Sequence, residues 1–310
     1  MVSIILLVEV IMSNKKTTYS QKNESISLSR PKSFIFIAAV YIMAFGVGFL
    51  SYQVLPFSPW LNLLLADVFA TIYVFLFSLA AGNASVYDPY WSVQPIAILS
   101  AFAVSVKTFS AASVLVLIAV LIWGFRLTAN WAYTFHGIEH QDWRYTMLRE
   151  KTGKFYPIIN FVGIHMVPTL IVYAATLPAV LLINLPGEAN LWTVVGFAIS
   201  LIAVAVQTVS DIEMHKYRKT RPTVFIREGL WKHSRHPNYL GEILMWWGVA
   251  VMAMSVFGFE WFLPLGALLN TVLFFTVSIP MADKRQSLKE GFAEYKSETH
   301  MLLPIPRFKK

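Results

Sequence analysis

The sequence predicts an all-α protein, a polytopic membrane helical bundle with about seven or eight transmembrane helices of the usual ~20 residues. Three observations carry that prediction. Charged residues make up 14% of the chain, against roughly 25% in soluble domains. Apolar runs recur at about 34–55, 60–81, 94–106, 111–133, 156–184, 191–210, 242–257 and 260–280. The basic residues gather in the stretches between those runs, which is how a membrane protein encodes its topology. The formal charge of +8 is therefore a topology signal, and a nucleic-acid partner is not expected. With no cysteine, disulfides, thiolate metal sites and cysteine nucleophiles are excluded.

Residues 1–12 are apolar but too short to span. No basic region precedes Ile4 and no small-residue cleavage site follows Val10, so they read as a dispensable extension rather than a signal peptide. Residues 13–33 are polar, which makes 1–33 a disordered N-terminal tail and 34–310 a single membrane domain. The run at 94–106 is short enough to span or to re-enter. The run at 156–184 contains Pro168 and Pro178 and is expected to kink or tilt. Eight spans would place the tail, 82–93, 134–155, 211–241 and the C-terminus on one side. Of the 25 Lys and Arg, all but Lys107 and Arg126 would then lie there. The positive-inside rule makes that side cytoplasmic, with both termini inside a bacterial-type inner or plasma membrane. An odd number of spans breaks the agreement.

The polar clusters with chemical potential fall on the same side. They are Asn83–Ser92, Trp123–Trp131, Gln141–Tyr145, Gln207–Glu242 and Asp283–Pro304. The fourth dominates. On a helix Gln207, Asp211 and Arg218 share one stripe, able to hold the hydroxyls, amide and phosphates of a nucleotide. The bland reading is an interfacial Asp–Arg pair that ends the helix. Seven Lys or Arg from Lys216 to Arg235 suit a phosphate-bearing cofactor. Arg126 either joins such a site or snorkels to the surface; Trp123, Trp131 and Trp143 read as interfacial belt residues. Asp67, alone in an apolar run, is either a proton donor or a neutral group hydrogen-bonded to a neighbouring helix. His233 and His236 lack the further ligands of a zinc or di-iron site, so no metal is expected. His236-Pro237 puts proline where a helix starts.

Arg235-His236-Pro237-Asn238-Tyr239-Leu-Gly241-Glu242, with Gly229-Leu-Trp231 ahead of it, resembles the C-terminal signature of the steroid 5-alpha-reductase-like membrane superfamily. That superfamily also contains sterol C14 and C7 reductases and isoprenylcysteine carboxyl methyltransferases. Residues 83–304 resemble its bacterial branch, the DUF1295 family, through Asn83-x-Ser85-x-x-Asp88-Pro-Tyr90-Trp-Ser92, Trp123-Gly-x-Arg126-Leu-Thr128 and the Phe292-Ala-Glu-Tyr295 to Pro304 tail. The signature region spans 207–304. The resemblance implies NADPH as cofactor, an all-helical membrane fold and a lipid substrate taken from the bilayer. Carried over by position, it assigns cofactor contacts to Gln207 (in place of Asn), Asp211, Arg218, Asn238 and Glu242. Arg285 and Tyr295 match more loosely, in a segment closing over the cofactor. Arg235 would also bind phosphate, with His236 and Tyr239 packing the site. The implied reaction is hydride delivery to an activated C=C bond of a steroid-like or other lipid, an oxidoreductase acting on a CH–CH group.

The Gln-Glu-x-Pro-Ser segment that carries the steroid reductases' catalytic carboxylate is absent. Asp67, Tyr87, Asp88 and Tyr90 are the available substitutes, and Asp88, Tyr87 and Asp67 are the candidate catalytic residues. The methyltransferase branch, using S-adenosylmethionine, is the rival. It carries Glu-Glu where this chain has Asp283-Lys284-Arg285, and cations there suit an extra phosphate better than a sulfonium. A lipid-binding membrane protein without turnover is the third class. The lipid and the oligomeric state are not specified by the sequence.

Overall fold

The computed structural model describes residues 27–185 and 187–306; the expectations for residues 1–12 and 13–26 fall outside them. Within the described residues all regular structure is helical apart from one isolated bridge, Ser234 with His300. The helices are α1 (Arg30–Val54), α2 (Pro59–Ala80), α3 (Tyr90–Ser105), α4 (Ala111–Thr134), α5 (Trp143–Thr152), α6 (Val167–Asn184), α7 (Leu191–Thr220), α8 (Pro237–Phe257), α9 (Leu265–Leu273), α10 (Ile279–Gln286) and α11 (Phe292–Glu298). A one-turn helix, Tyr156–Ile159, and a π turn, Asn160–Met166, join α5 to α6. A second π turn, Phe274–Ser278, joins α9 to α10.

Among the described residues, seven helical stretches are long and apolar enough to cross a membrane: 30–54, 59–80, 111–134, 143–184, 191–220, 237–257 and 265–286. The third apolar run, 94–106, falls in α3, whose 16 residues extend about 24 Å, short of a ~30 Å hydrocarbon core. The even count behind the expectation of both termini inside is met only where α3 crosses as well. The first helix also begins at Arg30, inside the stretch expected as tail, with Pro31 in its first turn, where a missing N–H costs nothing.

The chain divides into two compact units, residues up to 97 with 127–173, and 98–126 with 174 onward. In the first unit α1 and α2 lie along each other. Asn62 closes their turn, accepting from the Phe57 N–H at 3.1 Å and donating to the Leu55 carbonyl at 2.8 Å. In the second unit α7 and α8 form the main helix pair. Asn190 starts α7 with a reciprocal cap. Its side chain accepts from the backbone of Trp192 and Thr193, while Thr193 Oγ1 accepts from the Asn190 N–H.

Each π turn precedes a proline, Pro168 or Pro280. Proline offers no N–H and crowds the carbonyl four residues back. The backbone widens instead, and the Val167 and Ile279 N–H groups reach back five residues to the Val162 and Phe274 carbonyls. The kink expected at Pro168 therefore takes the form of a π turn on its N-terminal side.

Candidate functional site

The second unit gathers Gln207, Asp211 and Glu242 into one hydrogen-bonded network. Arg126 of α4 donates through Nη1 to Gln207 Oε1 at 3.1 Å and through Nη2 to Asp211 Oδ2 at 2.5 Å. Gln207 Nε2 donates to Glu242 Oε2 at 2.7 Å, and the same oxygen accepts from Trp123 Nε1 at 2.9 Å. Trp246 Nε1 donates to the other carboxylate oxygen at 3.1 Å. Three donors thus hold the Glu242 carboxylate in one orientation.

The local sequence explains how these groups meet. A Cβ on Gly241 would sit 2.4 Å from Gln207 Cγ and 2.6 Å from the Ala203 carbonyl. Only glycine lets α8 come close enough for Glu242 to reach Gln207. Gly229 answers to the same logic. Its φ is +57°, and a Cβ there would collide with the Glu213 carboxylate, which accepts from the Leu230 N–H at 2.9 Å. Two readings of the sequence change here. Arg126 does not snorkel alone, because it bridges two side chains of α7. Trp123 is no interfacial belt residue: it is fully buried against Trp246, with ring centroids 4.8 Å apart.

The remainder of the signature string is spent on the C-terminal segment. Arg235 donates to the Thr299 carbonyl at 3.1 Å and the Lys296 carbonyl at 3.3 Å, and lies 3.4 Å from the Asp283 carboxylate. His236 Nε2 meets Asp283 Oδ1 at 2.9 Å while its ring stacks on Tyr239. The Tyr295 hydroxyl points at the carbonyls of Trp231 and Ser234, at 2.5 and 3.1 Å. Asn238 serves its neighbour, accepting from the Tyr239 N–H at 3.1 Å. Arg235 and Tyr295 therefore pin residues 295–300 to the start of α8, while His236 ties that start to Asp283 of α10.

A cationic group remains at the end of α7. Arg218 and Arg285 both bear on Lys289, whose amino group is held below the ordinary lysine range by burial first and by these two guanidinium groups second. Three mutually repelling cations form a place where a phosphate is welcome. Lys289 was missed by sequence reasoning, since one more lysine in a basic C-terminal stretch carries no pattern.

The first unit holds Asp67, Tyr87, Asp88 and Tyr90. Gln94 Nε2 donates to Asp67 Oδ2 at 2.5 Å, and the Tyr90 hydroxyl lies 3.5 Å from Oδ1. Tyr87 is fully buried, its hydroxyl 2.8 Å from Thr169 Oγ1 and its ring 4.6 Å from that of His165. His165, on the π turn, is also fully buried; its Nδ1 donates to the Asn160 carbonyl at 3.0 Å and its Nε2 has no partner among the described residues. Asp88 lies apart from Asp67's partners and accepts from the Tyr145 hydroxyl at 2.6 Å. Burial pushes its carboxyl up to about 7, with Arg144 opposing and Asp142 adding. No group of three or more His, Asp or Glu able to hold a metal occurs among the described residues.

Residues 74–299 match the family model described as protein of unknown function DUF1295. The chain is also similar to the uncharacterized protein C594.04c of Schizosaccharomyces pombe, at 24% identity over 53% of this chain and 56% of that protein. The similarity thus spans little more than half of the relative's length. No solved structure matches the chain. The family match takes in α3–α11 whole, the Asn83–Ser92 turn, the Arg126 network and the signature string, so the chain, a polytopic membrane protein, belongs to the DUF1295 family.

Proposed function

We propose that this protein is a membrane-embedded, NADPH-dependent reductase of an activated C=C bond in a lipid taken from the bilayer. The observation that carries the reading is the cation group Arg218, Arg285 and Lys289, whose Arg218 shares α7 with Gln207 and Asp211, the amide and carboxylate that Arg126 of α4 holds. A dinucleotide with an extra phosphate presents those two kinds of surface, anionic and hydroxyl-rich. Arg218, Arg285 and Lys289 bind phosphate. Asp211, Gln207, Asn238 and Glu242 orient the ribose and nicotinamide, and Arg126 fixes the rotamers of Gln207 and Asp211. Arg235 and Tyr295 hold the C-terminal segment that shapes the site's edge, with His236 and Tyr239 stacked beside it. The cofactor supplies the hydride; the proton comes from the protein, and the sequence's candidates for it are Asp67, Tyr87 and Asp88.

The test is thermal unfolding of the detergent-purified protein with NADPH, NADH or S-adenosylmethionine. Stabilisation by NADPH above the other two is expected. Arg218→Ala, exposed and outside the buried network, should leave the unliganded midpoint unchanged. It should weaken NADPH roughly ten- to hundredfold, as loss of a charged hydrogen bond does. A shift with S-adenosylmethionine alone would make the protein a lipid methyltransferase, and no shift with any of the three would leave a lipid-binding protein without turnover.

A further inference from the structure

The helical stretch Trp143–Asn184 is too long to lie wholly inside a bilayer. Its 42 residues extend about 63 Å, twice a ~30 Å hydrocarbon core. The part from Tyr156 onward extends about 43 Å, which is the thickness of a bilayer with its headgroups. Tyr156 therefore falls at the level of the headgroups. α5 lies on the water side of it, with Arg149 and Lys151 in its last turn. Two hydrogen-bond donors at this level have nothing to donate to. Arg149 Nε and the Tyr156 hydroxyl are both buried and without a partner among the described residues. The two groups meet: Arg149 Cζ lies 4.5 Å from the Tyr156 ring centroid, and its charge bears on the hydroxyl. The guanidinium reaches one protein acceptor among the described residues, the Gly82 carbonyl, at a long 3.4 Å. No carboxylate there pairs with it. Buried donors are ordinarily satisfied, and a charged one left without an acceptor is the costliest kind. Two orphan donors, one of them a cation, call for an anion.

The neighbouring residues say which anion. The Lys154 amino group sits 5.3 Å over the Phe155 ring, and Phe155 and Ile158 are exposed at 58% and 61%. Cations beside exposed apolar side chains fit a phospholipid, whose phosphate meets the first and whose acyl chains cover the second. We propose that Arg149 and Tyr156 form a binding site for the phosphate of an anionic phospholipid. Arg149 donates to the phosphate oxygens through its planar fork, which stacking on the tyrosine ring holds in place. The Tyr156 hydroxyl donates to a further oxygen. Arg149 is only part-buried and rides on a flexible stem, so a small swing of the guanidinium opens both donors to a headgroup at the surface. A zwitterionic headgroup is disfavoured because its own cation meets Arg149 and Lys154. The site lies wholly within the first unit, does no chemistry on its lipid, and is independent of the cofactor reading.

Native mass spectrometry of the detergent-purified protein tests the site, with phosphatidylglycerol, phosphatidylcholine or inorganic phosphate as probe. Phosphatidylglycerol should bind severalfold tighter than the other two. Arg149→Gln should weaken it roughly tenfold or more, as loss of a charged hydrogen bond does, and Arg149→Lys, which keeps the charge without the fork, should not restore it. Tyr156→Phe removes the hydroxyl alone and covers the case in which the arginine variants fail to fold. It should weaken phosphatidylglycerol severalfold and leave the unliganded thermal midpoint unchanged or higher, since the hydroxyl lost had no partner. A hydroxyl that served only the fold predicts the reverse, a lower midpoint with lipid affinity intact. Lys107→Ala removes an exposed cation elsewhere and should change nothing. Unchanged lipid affinity in Tyr156→Phe overturns the proposal, as does an equal loss in Lys107→Ala, which would show attraction by net charge alone. Inorganic phosphate bound as tightly as the lipid also overturns it, in favour of a site for a free anion.

Discussion

The two units satisfy their buried polar groups in opposite ways. In the second unit the interior is ionic: Arg126 against Asp211, Arg235 and His236 against Asp283, and Glu242 under three donors. In the first the deepest groups are neutral, with Tyr41 donating to the Val86 carbonyl, Tyr87 and the threonines sharing hydroxyl bonds, and the Asp67 carboxyl with no cation beside it; the unit's ion pair, Arg144 with Asp142, is only part-buried. Yet both use the same backbone device, a π turn set just before a proline. Local geometry alone does not decide what a unit handles. Fixed, paired charges suit a permanent electrostatic task such as gripping an anion. A hydroxyl network holds no net charge and can pass one along.

The comparison is broken most severely by removing an anion from the ionic unit. Asp283→Ala strands Arg235, His236 and Lys296, all drawn to the same carboxylate. Deleting one partner of a buried ion pair costs about 3–5 kcal/mol, because the other charges stay behind. A fall in the thermal midpoint is expected, together with new protease cleavage in 287–300 as Arg235 loosens its grip on the C-terminal carbonyls. An unchanged midpoint would mean that these charges are solvated and the ionic description is wrong.

A smaller effect comes from Asp88, which lies between the spanning helices of the neutral unit. Its carboxyl is raised from the ordinary 3.8 to about 7, with burial the largest cause. Folding therefore favours the protonated form. The stability it contributes is full below the unfolded value and is lost as pH rises through the folded one. Wild-type protein should lose midpoint relative to Asp88→Asn between pH 3.8 and about 7, because asparagine keeps a neutral group there at every pH. Parallel midpoint curves for the two proteins would show that the carboxyl is solvated.

How far the sequence reached can be told from these residues. Spacing alone put Gln207 and Asp211 on one stripe, since i and i+4 share a helix face whatever the tertiary structure. Glu242 joined them by resemblance, and Gly241 shows why that resemblance holds: the glycine and the glutamate form one device, close approach and reach. Arg126 was left undecided because its partners lie 81 and 85 residues away, beyond any local pattern. Trp123 was misread for a related reason. A tryptophan near a helix end looks alike in sequence whether its indole faces lipid headgroups or donates to a buried carboxylate. Asp67 was legible as an anomaly, but the Thr71 and Thr169 hydroxyls packed near it and bonded towards Tyr87 were not. A threonine in an apolar helix is too common to signal anything until the fold brings two of them within 3.2 Å.

The smallest effect should come from an ion pair that looks as good on paper as those in the ionic interior. Arg221 donates to Glu228 at 2.8 Å, closer than the 3.4 Å between Arg235 and Asp283. The first pair is exposed, at 57% and 63% of the side-chain surface, and the second is buried, at 6% and 9%. In water the attraction is screened, and ordering two long side chains offsets most of it. Buried, neither group can fall back on solvent. Arg221→Ala should therefore leave the thermal midpoint where it is at low and high salt alike, while Arg235→Ala lowers it. If the exposed substitution proved as damaging as the buried one, distance rather than burial would set the worth of these pairs, and the contrast between an ionic unit and a neutral one would lose its physical basis.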